Sequence, residues 1–251
     1  MVNHMFEKIL ADCRKRYRGF GLEVRPERMP RSFEEAILAA KRRGINPVIA
    51  EVKFASPRGE IREPDDVEVI ALAMQRGGAC AISVLTEEKY FRGSLDYLRR
   101  VSEVCSLPVL RKDFIFATGQ VDEAYYYGAD SVLLIASFFS EEELRELIAR
   151  CRHFGMEPLV EVHSAQDISL AQRCGARVYV INNRDKDTLE IDLSRSERLA
   201  KLIDGIRISA SGISGEADLR RVLRHCDAAL VGTSIMRSQD IEEATRRLVH
   251  A

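Results

Sequence analysis

Ionisable side chains end several short apolar segments of this chain, and their types and spacing suit acid–base chemistry. Glu51 and Lys53 close the segment VIAEVK, and residues two apart in a strand point to the same side. Lys112 closes PVLRK, and Glu161 lies in PLVEV. A desolvated lysine can release a proton, which an arginine cannot do, and a carboxylate can hold or accept one. These four residues are therefore candidates for catalysis.

Lysine is scarce in the chain, which sets two of these positions apart. Only eight of the 38 basic residues are lysines, and two of the eight end apolar segments of this kind. A plainer interpretation stays open, in which Lys53 and Lys112 only neutralise Glu51 and Glu161.

Two later segments run into small residues instead of charged ones. The seventh apolar segment continues as SASGISG over residues 209–215, and the eighth continues as GTSIM over 232–236. Small residues let backbone amides approach an anion, and the N-terminus of a following helix adds its dipole. The pattern predicts a phosphate site and a phosphorylated small-molecule substrate.

The segments that carry these residues form a repeating pattern of strand and helix. Apolar runs alternate with amphipathic stretches such as EEELRELIARCRHFG, which puts Leu144, Leu147, Ile148 and Cys151 on one face before Gly155. This alternation predicts parallel strands, and eight strands suit a closed (β/α)8 barrel better than a doubly wound sheet. No G-x-G-x-x-G follows the first strand, which argues against a dinucleotide fold. The predicted strands lie near 48–53, 80–86, 108–112, 131–136, 158–162, 177–182, 207–212 and 228–232.

The expected architecture is one α/β domain, a TIM barrel over residues 46–251 with a helical extension over 1–45 that covers one end. With 46% hydrophobic residues in 251, the chain can bury a large core. Active sites of such barrels lie at the carboxyl ends of the strands, which is where the polar residues fall.

Composition excludes several classes of function. The 38 basic residues balance 39 acidic ones, so neither a nucleic-acid surface nor an anionic membrane surface is indicated. The N-terminus lacks the apolar core of a secretory signal, and no apolar run is long enough to span a bilayer. Six cysteines without a C-x-x-C pair predict reduced, buried thiols and a cytoplasmic protein. No His and Cys residues share ligand-like spacing, so we expect no metal. A monomer is the default expectation.

Several segments of the sequence resemble indole-3-glycerol-phosphate synthase, and the match covers nearly the whole chain. The resemblance implies ring closure of 1-(2-carboxyphenylamino)-1-deoxyribulose 5-phosphate to indole-3-glycerol phosphate in tryptophan biosynthesis. The reaction loses CO₂ and water and needs no metal or redox cofactor. The matching segments are PVIAEVK at 47–53 with Ser56-Pro57, AISVLTEEKYF at 81–91, LRKDF at 110–114, VEVH at 160–163, INNR at 181–184 and VGTSIMR at 231–237.

The resemblance also implies a role for each matching residue. Lys112 would protonate the substrate carbonyl as the aromatic carbon attacks it, and Lys53 would contact the substrate and protonate the departing hydroxyl. Glu161 would stabilise the cationic intermediate or remove a proton. Glu51 would hold the lysines and the substrate hydroxyls, and Asn182 would orient the substrate. The residues implied in binding are Arg184 for the anthranilate carboxylate, Ser56, Ser211, Gly212, Gly232 and Thr233 for the phosphate, and Phe114 and Leu133 for the aromatic ring.

One position departs from the family's pattern. After the seventh strand the family usually reads Glu-Ser-Gly, whereas this chain reads Ala210-Ser211-Gly212. The lost carboxylate is compatible with reduced turnover, compensation by a nearby acid, an engineered substitution or altered chemistry. We expect activity to survive, because both lysines and two carboxylates remain. The alternatives are another phosphate-binding barrel enzyme, such as phosphoribosylanthranilate isomerase or the tryptophan synthase α subunit, and a barrel of the same family that binds a sugar phosphate without turnover.

Overall fold

The computed structural model describes residues 5–20 and 27–251, and its centre is a closed barrel of parallel strands. Each strand pairs with the next along the chain, and the last pairs with the first. The predicted eight-stranded barrel is confirmed. Its strands are β1 Val48–Val52, β2 Ala81–Leu85, β3 Val109–Lys112, β4 Ser131–Ile135, β5 Leu159–Val162, β6 Val178–Asn182, β7 Ile206–Ala210 and β8 Ala228–Val231.

Helices follow the strands and cover the outside of the barrel. The helix predicted from EEELRELIARCRHFG is confirmed, with Leu144, Leu147, Ile148 and Cys151 buried, and Gly155 follows it at φ +75°. The helices are α1 Met5–Arg16, α2 Phe33–Arg42, α3 Val67–Arg76, α4 Glu88–Phe91, α5 Leu95–Val104, α6 Thr118–Tyr126, α7 Glu141–His153, α8 Ala165–Arg173, α9 Ser194–Leu199, α10 Glu216–Leu223, α11 Thr233–Met236 and α12 Ile241–Val249. A two-stranded hairpin, Ala55–Ser56 with Gly59–Glu60, follows β1.

Strand β7 ends two residues earlier than the sequence predicts. It stops at Ala210 instead of continuing to 212, because Ser211 and Gly212 adopt the left-handed region at φ +70° and φ +85°. That backbone turns the chain out of the sheet and across the carboxyl end of the barrel.

Alternate residues of each strand face the barrel interior, and this period places the site. Along β1, Ile49 packs inside the barrel, whereas Val48, Ala50 and Val52 pack against the helices. The two positions that follow Ile49 on its face are Glu51 and Lys53. Apolar side chains therefore fill the barrel interior towards its amino end, and polar side chains occupy its carboxyl end.

The two helices of the N-terminal extension lie at opposite ends of the barrel, whereas the sequence led us to expect the extension at one end. Helix α2 lies at the amino end, where Lys41 pairs with Asp227 just before β8. Helix α1 lies at the carboxyl end, where Asp12 pairs with Lys89 after β2. Each helix has an apolar face that only the barrel can cover: Phe6, Ile9 and Leu10 in α1, and Phe33, Ile37 and Ala40 in α2.

The cysteines are reduced, and most of them are buried, as the sequence predicts. All six cysteines are free, and five are buried, whereas Cys13 is half-buried on α1. Burial raises the pKa of the Cys80 thiol to about 12. Within residues 5–20 and 27–251, no helix is long and apolar enough to cross a membrane.

Candidate active site

A cavity opens at the carboxyl ends of the barrel strands, and most of the predicted site residues line it. Ten of the thirteen border this cavity, whereas Glu161, Phe114 and Leu133 do not. The ten are Glu51, Lys53, Ser56, Lys112, Asn182, Arg184, Ser211, Gly212, Gly232 and Thr233.

Glu51 is the centre of the charged cluster. Its Oε1 lies 2.6 Å from Nζ of Lys53, and its Oε2 lies 3.1 Å from Nζ of Lys112. Only 1% of the Glu51 side chain is exposed. Burial would raise the pKa of Glu51, but the charges of Lys112 and Lys53 outweigh burial and lower that pKa to about 2. Glu51 is therefore a permanent anion that holds two ammonium groups at the floor of the cavity.

The two lysines differ in their electrostatic surroundings. Burial lowers the pKa of Lys53 below its ordinary value, although contact with Glu51 opposes this. Burial alone would also lower the pKa of Lys112, but the charges of Glu51 and Glu161 outweigh it and raise that pKa. Lys112 thus stays protonated between two carboxylates, whereas Lys53 gives up its proton more easily.

Glu161 lies outside the cavity wall and is held by two neighbours. Its Oε1 is 3.0 Å from Nδ2 of Asn182 and 3.0 Å from Nε2 of His163. Burial would raise its pKa, but the hydrogen bond with His163 and the charge of Lys112 keep that pKa below the ordinary value. Glu161 is thus a second buried carboxylate close enough to influence Lys112.

The two residues predicted to contact an aromatic ring lie behind the cavity wall. Phe114 packs edge-on against Phe6, with ring centroids 5.8 Å apart, and lies 6.3 Å from Phe91. Phe6 and Phe91 themselves border the cavity. Leu133 is buried inside the barrel with Phe114. The cavity wall therefore has two phenylalanines at its surface and the predicted pair, Phe114 and Leu133, behind it.

Close packing against Glu51 favours a glycine at position 232. A methyl group there would lie 2.5 Å from Oε1 of Glu51 and 3.1 Å from its Cβ, distances at which Glu51 would have to move. The absence of a side chain at the start of α11 thus keeps Glu51 in contact with its lysines and leaves the backbone of this turn bare towards the cavity.

Sequence reasoning missed several residues of the cavity wall. Phe6 comes from α1, and its only signal was the apolar face of that helix. Arg58 stands at the tip of the hairpin after β1, and Leu189 belongs to the loop after β6. Leu189 holds a left-handed backbone at φ +61°, and its carbonyl accepts a hydrogen bond from Nη1 of Arg184 at 3.1 Å. Nothing in the local sequence marks this loop as part of the site.

The family is decided by comparison with known proteins. A family model described as indole-3-glycerol phosphate synthase matches residues 5–248. The chain belongs to this family. It is accordingly an indole-3-glycerol phosphate synthase by activity, a carboxy-lyase of tryptophan biosynthesis.

Relatives from distant organisms agree with that assignment. The synthase of Geobacillus thermodenitrificans is 43% identical over 250 residues, which are 97% of this chain and 96% of the relative. The synthase of Thermococcus kodakarensis is 43% identical over 210 residues, 81% of this chain and 92% of the relative. The synthase of Sulfurimonas denitrificans is 46% identical over 205 residues, 80% and 78% of the two chains.

Solved structures of lower identity share the fold. A thiamine phosphate pyrophosphorylase from Pyrococcus furiosus superposes with a TM-score of 0.61 at 18% identity, covering 83% of this chain and 95% of the other. A 3-hexulose-6-phosphate synthase superposes with a TM-score of 0.67 at 15% identity, covering 80% and 97%. At such identities the likeness concerns the barrel alone.

Ala210, where the resemblance led us to expect a carboxylate, gives the cavity a small apolar wall. Ala210 is buried, borders the cavity and lies in register with Asn182 of β6 and Leu230 of β8. The site retains Glu51 and Glu161. Among the described residues, no group of three or more His, Cys, Asp or Glu side chains is arranged to hold a metal ion.

Proposed function

We propose that this chain closes the indole ring of 1-(2-carboxyphenylamino)-1-deoxyribulose 5-phosphate with Lys112, Lys53 and Glu161 as its proton-transfer groups. The observation that carries the proposal is the buried carboxylate of Glu51, which holds both ammonium groups at the floor of one cavity, 2.6 Å and 3.1 Å away. Glu51 orients the acids and also contacts the substrate hydroxyls.

Ring closure is assigned to Lys112. The aromatic carbon that carries the carboxylate attacks the ketone carbon, and Lys112 gives its proton to the ketone oxygen, which becomes a hydroxyl. Loss of CO₂ from the same aromatic carbon then restores the aromatic ring. The charges of Glu51 and Glu161 support this role, because they keep Lys112 protonated until the oxyanion develops.

Dehydration is assigned to Lys53 and Glu161. Lys53 protonates the new hydroxyl, which leaves as water, and the nitrogen lone pair stabilises the cation that remains. Glu161 stabilises this cation and accepts the proton whose loss forms the indole double bond. The lowered pKa of Lys53 supports its role, since a weaker base releases its proton at lower cost.

The two anionic ends of the substrate are assigned to two separate groups of residues in the cavity wall. Arg184 binds the anthranilate carboxylate, and its pKa is lowered by burial and by the charge of Arg58, so an arriving anion is favoured. The backbone of the turns after β7 and β8 binds the phosphate, and the Ser56 hydroxyl assists. Those turns contribute Ser211, Gly212, Gly232 and Thr233. Two fixed anion sites hold the ketone and the aromatic carbon in reacting geometry. Asn182 orients the substrate, while Phe114 and Leu133 support the aromatic slot.

Ala210 is proposed to be a tolerated variation. The proposed proton-transfer groups lie on β3, on β5 and directly after β1, and none of them contacts position 210 through a hydrogen bond. The competing proposal is a barrel that binds the substrate without turnover, and the missing carboxylate at Ala210 is the observation that favours it.

The test is a fluorescence assay for the indole product. The chain contains no Trp, so its own emission is low. Wild type is expected to turn over the substrate, and Lys112→Ala is expected to lose about 10³-fold or more in kcat. Folded protein that binds the substrate without turnover would establish the binding-only alternative.

A second variant separates the two explanations of Ala210. Ala210→Glu is expected to change kcat by less than about tenfold, because the acids are already positioned by Glu51. A gain of several orders of magnitude would show that position 210 carries an essential carboxylate and that the wild-type site is impaired.

The division into an extension over 1–45 and a barrel over 46–251, the monomeric state and the cytoplasmic location are also proposed. Sedimentation of the purified chain at about 28 kDa would support the monomer. A mass near twice that value would contradict it.

A further inference from the structure

His163 is a residue with a buried side chain that contacts a group of the proposed active site. It follows β5 directly, and only 7% of its side chain is exposed. Its Nε2 lies 3.0 Å from Oε1 of Glu161. It does not border the cavity itself, and the active-site group that its ring hydrogen-bonds is Glu161.

The other ring nitrogen makes no competing hydrogen bond. Nδ1 of His163 is buried and has no hydrogen-bond partner among the described residues. A proton on Nε2 gives the ring a donor 3.0 Å from Oε1 of Glu161. The hydrogen bond to Glu161 is therefore the polar contact that the ring makes among the described residues.

Two elements hold the ring in this position. The backbone N–H of His163 donates to Oδ2 of Asp167 in the first turn of α8, at 2.8 Å. From the other side, Phe6 of α1 packs edge-on against the imidazole, with centroids 6.4 Å apart. The ring is thus fixed before any substrate arrives.

We propose that His163 is a positioning residue that orients the Glu161 carboxylate for the reaction; this inference rests on the role proposed above for Glu161. The amide of Asn182 and the imidazole of His163 both donate to Oε1, at 3.0 Å each. Oε2 accepts no hydrogen bond from the described residues, so it is the oxygen that the proposed role of Glu161 would use. A carboxylate held by two donors on one oxygen has one free oxygen in a fixed direction.

The charges around Glu161 determine what the loss of this hydrogen bond would do. The ionised group that faces it is Lys112 of β3, and Glu51 of β1 lies on the far side of that lysine. The charge of Asp167 contacts the backbone of His163 rather than its ring. Burial would raise the pKa of Glu161, and the hydrogen bond with His163 opposes that. Without the donor, the pKa of Glu161 rises and the carboxylate takes up a proton at higher pH.

The first experiment compares His163→Leu with His163→Gln. Leu fills the space but donates nothing, and it is expected to lower kcat by about 10- to 100-fold with KM changed less than about threefold. The acidic limb of the kcat profile is expected to move to higher pH. The Gln amide can donate at the position of Nε2, and it is expected to restore kcat to within about threefold and return the limb to its wild-type pH. The exposed His153 of α7 provides a matched control, His153→Leu, which is expected to leave kcat unchanged.

The second experiment places both changes in the Glu161→Gln background. If His163 acts through Glu161, adding His163→Leu is expected to lower kcat by less than about threefold further. Equal losses in both backgrounds, or a loss in His163→Leu that His163→Gln does not restore, would overturn the inference. Glu161→Gln with wild-type kcat would instead refute the proposed role of Glu161 itself.

Discussion

Both ends of the barrel hold buried carboxylates in contact with cations, but the two ends use different residues. At the amino end, Asp130 accepts from Nη1 of Arg28 at 3.0 Å, from Nε of Arg31 at 2.9 Å and from the backbone N–H of Val109 at 2.8 Å. At the carboxyl end, Glu51 is held by Lys53 and Lys112 (2.6 Å and 3.1 Å). Two arginines hold Asp130, which fastens the chain, and two lysines hold Glu51, which borders the cavity.

The difference follows from what each cation can do. Arg28 and Arg31 offer fixed, forked donors that never lose their charge, so they anchor the segment before α2 to the strand ends. Lysines offer a single ammonium that can release its proton when it is desolvated. The same type of ion pair therefore fastens the fold at one end and, at the other, holds the two lysines that we propose as proton donors.

The largest expected effect is on kcat and comes from replacing a lysine of the carboxyl end with arginine. Lys112→Arg keeps the positive charge beside Glu51 but cannot supply a proton, so kcat is expected to fall by about 10³-fold. The matched change Arg31→Lys at the amino end is expected to leave kcat unchanged. Steady-state kinetics of both variants check the expectation, and a Lys112→Arg enzyme with more than a tenth of wild-type kcat would contradict it.

Breaking the amino-end cluster should affect stability and not catalysis. Asp130→Asn leaves Arg28 and Arg31 facing a neutral amide, and we expect unfolding free energy to fall by about 3 kcal/mol. Urea denaturation measures the loss of stability. The kcat per folded molecule, which is expected to stay unchanged, shows whether the amino end contributes to catalysis. A variant of normal stability, or one whose kcat falls tenfold, would show that the ends are not separate in function.

Displacing Glu51 without changing its charge is a finer test of the carboxyl end. Gly232→Ala pushes a methyl group to within 2.5 Å of Oε1 of Glu51, and we expect kcat to fall about 10- to 100-fold. Gly215→Ala is the control, because nothing lies within 4 Å of its added methyl group. If Gly232→Ala raises KM alone, its effect is on the phosphate turn and not on Glu51.

The pH dependence of stability should show the smallest effect. The pKa of Glu51 is about 2 in the folded chain against an ordinary value of 4.5, so the unfolded chain takes up the proton first as pH falls. The stabilisation is therefore complete above about pH 4.5 and is lost as pH falls towards 2. Glu51→Gln should flatten the dependence of unfolding free energy on pH within this window. If the unfolding free energy of the variant depends on pH just as steeply, groups other than Glu51 take up the protons in this window.

Much of the fold was readable from the sequence because its signals are local. The alternation of apolar runs and amphipathic helices gave eight strands, and the α7 face of Leu144, Leu147, Ile148 and Cys151 is buried as predicted. The strand whose carboxyl end was misplaced the most, β7, stops where Ser211 enters the left-handed region. That conformation is unusual for a residue other than glycine, so the sequence did not signal it.

The site was predictable only in part. Period two along β1 put Glu51 and Lys53 on one face, and the ends of the other strands supplied Lys112, Asn182 and Arg184. The positions of Phe6 and Leu189 depend on how α1 and the loop after β6 pack. The sequence of neither segment predicts which surface it packs against. For α1 the reason is that an apolar helix face fits any apolar surface.

The sequence by itself determined which residue types face inward at the end of each strand, because side-chain direction in a strand repeats every two residues. Tertiary structure alone decided that Glu51 lies between Lys53 and Lys112. It also decided that His163 hydrogen-bonds Glu161 and packs edge-on against the ring of Phe6. The physical reason is barrel closure: it brings β1, β3 and β5 to one small opening, and the distances across that opening depend on all eight strands together.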